Sequence, residues 1–168
     1  MTDVLDDVIS RHRQTGIVVD TNVLLLYLIG SFDRSRISTF KNTSRYVPED
    51  YDTISLILGM FDKLIATPNI LTEFSNLSGQ LGNPTRTEFF RFVAEGVFQF
   101  IDERYVRSRD VVKGTEFTRL GLTDIGIALL ADTKIPVLTD DFDLYVLLSK
   151  RGVDVINFNH VRPFGWKM

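Results

Sequence analysis

Ile17, Val18 and Val19 constrain the fold of this chain more than any other three residues in it. They are β-branched or apolar on both faces, and Asp20 and a new apolar helical pattern follow at once. A strand apolar on both faces is covered on both, as strands of a parallel sheet are. Four more short runs repeat the theme: LIAT at 64–67, VFQFI at 97–101, PVLT at 136–139 and VDVINF at 153–158. Between them lie segments that read as helices: 2–14, 21–30, Pro48 to about Asp62, 69–78, 84–96, Glu103 to about Arg119, 123–132 and 141–152. Residues 31–47 are polar and basic with no clear period, and read as a loop or insertion. Strands alternating with helices predict an α/β domain, a five-stranded parallel sheet in a three-layer α/β/α sandwich.

The chain has 168 residues, the size of one domain. With 19 basic and 22 acidic side chains, its net charge is −3. A protein that coats nucleic acid by bulk charge is basic, so any such contact here is local or mediated by metal ions. The absence of cysteine excludes disulfides, thiolate metal centres and thiol catalysis. The start of the chain is acidic where a secretory signal is basic. The longest clean apolar run, Val23 to Ile29, is far short of the roughly 20 residues that span a bilayer. A cytoplasmic protein without a membrane partner is the expectation.

The acids fall in telling places. Asp20 follows the first strand, and Asp140, Asp141 and Asp143 follow the fourth. Asp124 opens the apolar segment DIGIALLA, and Glu73 stands between Leu71 and Phe74 in another. Ligands of open parallel sheets bind beyond the carboxyl ends of the strands. Carboxylates gathered there repel one another unless cations neutralise them, and hard divalent ions with oxygen ligands do that. The chemistry that follows is phosphodiester hydrolysis by a metal-activated water. The plain alternative is that these acids cap helices or line their first turns.

IVVDTNVLL, TPNILTEF, GLTDIGIALLA and PVLTDDFDL, in that order, resemble the PIN-domain family of metal-dependent nucleases, which includes the toxin ribonucleases of toxin–antitoxin pairs. The resemblance spans roughly residues 16–158. It implies a parallel sheet flanked by helices, an acidic site for Mg²⁺ or Mn²⁺, and endonuclease activity, usually on RNA. Carried over position by position, Asp20, Glu73, Asp124 and Asp141 are the catalytic, metal-holding acids, and Asp143 is an additional one. Asn22 and Thr139 match polar positions that support the site by hydrogen bonding. An antitoxin protein as partner and a homodimer are further expectations of the family. The chain exceeds the family's compact toxins by its N-terminal helix and the 31–62 region.

Two basic groups are candidates for substrate contact. Arg34, Arg36, Lys41 and Arg45 are interleaved with Phe32, Phe40 and Tyr46, aromatics suited to stacking on bases. Arg104, Arg107, Arg109, Lys113 and Arg119 precede Asp124. His12 and His160 adjoin no acid motif and read as structural. No phosphate-binding GxxxxGK[ST] loop or GxSxG elbow is present. The rival from another class is a non-catalytic PIN-like binding or scaffold protein, whose acids cap helices or hold a structural ion. A phosphatase-like fold would need a second Asp after the first strand, where the chain has DTNVL.

Overall fold

The computed structural model describes residues 2–162. Its five strands are β1 (Ile17–Val19), β2 (Leu64–Ala66), β3 (Ile101–Glu103), β4 (Val137–Thr139) and β5 (Val155–Asn157). All pair in parallel, in the order β3-β2-β1-β4-β5. Helices cover both faces, giving the expected three-layer α/β/α fold. They are α1 (Thr2–His12), α2 (Thr21–Phe32), α3 (Pro48–Leu58), α4 (Pro68–Ser78), α5 (Thr85–Phe92), α6 (Ser108–Val111), α7 (Phe117–Ala131), α8 (Phe142–Lys150) and α9 (Phe158–Val161).

The sheet order explains the composition of its strands. β1 lies between β2 and β4, with Val18 opposite both Ile65 and Val137, and all three of its residues are fully buried. The chain runs outward from β1 through β2 to β3, then crosses back to β4 on the other side. The loops after β1 and β4 therefore diverge, forming the crevice where open sheets bind ligands. α2 starts in that crevice. It is apolar nearly all round because it is buried nearly all round, including Leu24, Leu25, Leu26, Leu28 and Ile29. At about 1.5–3 kcal/mol per large apolar side chain, this helix is a main anchor of the core.

Glycine acts locally at two positions. Gly16, at φ 92, leads α1 into β1, and a Cβ there would stand 2.8 Å from the Lys63 carbonyl oxygen. Gly121, at φ 79, kinks α7 rather than ending a preceding helix, so Asp124 sits in the first regular turn after the kink.

Three expectations are corrected. Ser31 and Phe32 complete α2, while 33–47 form the expected loop, made of turns with a short 3₁₀ turn at Arg34–Arg36, and it is packed onto the core. Ile37, Phe40 and Tyr46 are core residues, and Phe32 packs edge-on against Phe89. The aromatics suited to base stacking are thus spent on packing. The strand expected at 97–101 begins only at Ile101. A widened π turn at Val93–Val97 and a 3₁₀ turn at Phe98–Phe100 take up the intervening residues. β3 is an edge strand that pairs only with β2, and its register with Leu64 to Ala66 sets where it starts. The long helix expected over 103–119 shrinks to α6. Val111 is the one fully buried side chain between Arg104 and Glu116, so no apolar stripe rewards a continuous helix. Among the described residues, no helix is long and apolar enough to cross a membrane.

Candidate acidic site at the carboxyl edge of the sheet

Asp20 is placed by β1 and by the start of α2. Its carboxylate is almost fully buried and accepts three hydrogen bonds. Val23 N–H reaches Oδ1 at 2.7 Å, Asp140 N–H reaches Oδ2 at 2.9 Å, and the Thr139 hydroxyl also donates to Oδ2. Burial, and then the nearby Asp140 carboxylate, push its pKa up to about 7 against these hydrogen bonds.

Asp141 caps α8, accepting from Leu144 N–H at 2.8 Å through Oδ1. Its own N–H donates to the Thr139 hydroxyl at 3.0 Å, so Thr139 ties Asp20 to the turn that carries Asp141. Glu73 projects from the middle of α4 and accepts from the Thr21 hydroxyl at 2.9 Å. Asp143 is exposed and ion-paired with Arg119 at 2.9 Å.

Asp124 differs from the others. It is half-buried on α7, and among the described residues no hydrogen bond or cation favours its charged form. Burial raises its pKa to about 7, with Asp141, Glu73 and Asp143 adding to the rise in that order. Like charges act on a distant carboxylate only when they share its surroundings. Glu73, Asp141 and Asp143, far from it in sequence, therefore lie within electrostatic reach of Asp124. Asp20 adjoins them through Thr139 and, by way of Thr21, through Glu73.

Among the described residues, no group of three or more His, Cys, Asp or Glu side chains is arranged to hold a metal ion. Four of these acids have protein partners: Asp20 and Asp141 cap helices, Glu73 accepts from Thr21, and Asp143 pairs with Arg119. All of them are oxygen donors, and Asp141, Glu73 and Asp143 stand near enough to Asp124 to raise its pKa.

Of the supporting pair, Thr139 makes the expected bonds, while Asn22 makes no side-chain hydrogen bond among the described residues. Its neighbour Thr21 takes that part. Of the basic strap residues, Arg34 pairs with Asp52 on α3, Arg36 pairs with Asp33 at 3.0 Å, and Lys41 is exposed. Arg45 reaches the acids: its Nη2 lies 2.7 Å from Asp140 Oδ2. In the second basic group, Arg104, Arg107 and Lys113 pair locally with Asp102 or Asp110, and Arg119 faces the acid edge through Asp143. His12 bonds Asp154 at 2.7 Å, and His160 stacks edge-on against Tyr145, both structural roles.

Sequence reasoning assigns Asp140 no role in the site and reads Tyr46 only as a stacking aromatic. Tyr46 is buried and donates its hydroxyl to Asp140 Oδ2, while Asp140 Oδ1 is enclosed without a partner. Asp140 was visible as an acid after a strand; nothing local to Tyr46 announces a partner 94 residues away. No protein-family model matches the chain, and no curated protein matches it.

Proposed function

We propose that this chain is a divalent-metal-dependent nuclease of the PIN type, hydrolysing phosphodiester bonds and acting on RNA as the family it resembles usually does. The supporting observation is Asp124, a half-buried carboxylate with no stabilising partner among the described residues and three acids acting on it. Asp20 and Asp141 each have an oxygen engaged by a backbone N–H. Asp124 has no such donor among the described residues, and the excess negative charge around it is what Mg²⁺ or Mn²⁺ relieves. When bound, such an ion supplies Lewis acidity and lowers the pKa of a water to make a nucleophile.

The chain's own residues do the rest. Asp20, Glu73, Asp124 and Asp141 would hold the cation, with Asp143 assisting. Thr139 and Thr21 orient Asp20 and Glu73 by donating their hydroxyls, and the α8 cap fixes the backbone of Asp141.

The second reading, a non-catalytic PIN-like scaffold, is favoured by the same two caps at Asp20 and Asp141. Calorimetric titration with Mn²⁺, run beside cleavage of a labelled single-stranded oligoribonucleotide, separates the two. The nuclease reading expects saturable binding that Asp124→Asn loses, and cleavage that EDTA stops. A flat titration with uncut RNA leaves the scaffold.

A further inference from the structure

An edge crowded with carboxylates repels the polyanion it would cut, so a nuclease built this way needs a fixed cation beside its acids. Of the basic residues in the 31–47 strap, Arg34 and Arg36 are spent on Asp52 and Asp33. Arg119 is tied to exposed Asp143. Arg45 is mounted differently. Its Nη2 is held by the Tyr46 hydroxyl at 2.7 Å and by Asp140 Oδ2 at 2.7 Å, and its guanidinium lies 4.8 Å from the centre of the Tyr46 ring. The side chain is still 54% exposed, and Nε and Nη1 have no partner among the described residues.

The mounting is rigid from behind. The Asp140 side chain is only 4% exposed, and its free oxygen Oδ1 faces protein, out of reach of solvent. Its N–H donates to Asp20 Oδ2 at 2.9 Å, and its carbonyl accepts from Asn159 Nδ2 at 2.8 Å. Tyr46 is packed in the core, with Arg162 also over its ring at 5.3 Å. One residue, Asp140, thus positions both the Asp20 carboxylate and the Arg45 guanidinium. With Nη2 engaged, Nε and Nη1 remain as charged donors for phosphate oxygens, and pre-ordering the guanidinium lowers the cost of each bond it forms.

We propose that Arg45, anchored by Asp140 and Tyr46, is the phosphate-binding side chain of the acidic site, and that Asp140 is its positioning residue rather than a metal ligand. The proposal rests on the nuclease reading above.

Its test is Arg45→Gln, with Arg13→Gln as a control that removes the same charge at the opposite end of the sheet. Steady-state cleavage of a single-stranded oligoribonucleotide gives KM and kcat. Binding of the same RNA is measured in an Asp124→Asn background, where it stays uncut. Arg45→Gln raises KM and Kd about tenfold, the loss of a charge-assisted hydrogen bond, and leaves kcat within about threefold of wild type. The slope of log K against log salt falls by about 0.7, one phosphate contact on a single strand. Asp140→Asn and Tyr46→Phe raise KM by less while keeping Mn²⁺ affinity.

Arg45→Gln matching Arg13→Gln in KM, Kd and salt slope overturns the proposal while leaving the nuclease reading intact, provided the wild type cuts. Loss of Mn²⁺ binding in Asp140→Asn overturns the positioning role. A wild type that neither binds nor cuts RNA removes the nuclease reading, and this one with it.

Discussion

Asp20 and Asp124 look alike in sequence, each an acid beside an apolar helical run, and charge repulsion alone treats them alike. Their surroundings separate them. Asp20 accepts three hydrogen bonds, so Asp20→Asn turns an NH₂ toward the donors it satisfied or leaves them unmet. We expect it to destabilise the fold by about 1–3 kcal/mol, read from urea denaturation. Asp124 has no such donors, so Asp124→Asn removes repulsion at no local cost. Both folded pKa values, about 7, lie above the ordinary 3.8. The folded protein therefore holds these protons more tightly than the unfolded chain. The stabilisation is complete below about pH 4 and is lost as pH rises through 7. Without divalent ions, the part of the melting temperature set by these acids falls between about pH 4 and 7. Asp124→Asn flattens that fall and melts above wild type at pH 8, at about 2–4 °C per kcal/mol. A variant melting below wild type at pH 8 would show that Asp124 has a structural partner after all.

Among the elements, β1, β2 and β4 were legible because a buried parallel strand leaves a short apolar run that no helix needs. β3 was not. VFQFI is rich in strand-forming residues, yet the pairing register with β2 starts the strand four residues later, beyond Phe100. The contact of α2 with α3 was equally invisible. Gly30 lies inside α2, where alanine is intrinsically better by about 1 kcal/mol, but a Cβ there would stand 2.3 Å from the Tyr51 ring. Overpacking of that kind costs about 1–3 kcal/mol, so the clash wins and Gly30→Ala lowers stability. Adding Tyr51→Ala removes the obstacle. The double variant should lose less than the sum of the two single changes, a coupling measurable in a double-mutant cycle.

At the scale of the whole molecule, the strap is joined to the far end of the described chain by a buried ion pair. Asp50, fully buried at the start of α3, receives Arg162 at 2.7 and 3.1 Å, and Arg162 also donates to the Arg45 carbonyl at 3.2 Å. Removing one partner strands a buried charge, so Arg162→Ala should cost about 3–5 kcal/mol in denaturant unfolding. Because Arg162 backs the ring of Tyr46, the same change should loosen the strap. Faster amide exchange at residues 43–47 than in the sheet would register that loosening.

The chain's own pattern determined the α/β class, the parallel sheet and which strands carry acids at their carboxyl ends, because burial on both faces and helix starts leave marks within a few residues. Only the tertiary structure decided that Asp124 stands without a partner, that Thr21 rather than Asn22 supports Glu73, and that Tyr46 and Arg45 close onto Asp140. Those facts rest on contacts between residues dozens of positions apart. A side chain's solvation and partners are set by whatever the fold brings beside it, and local sequence does not record that.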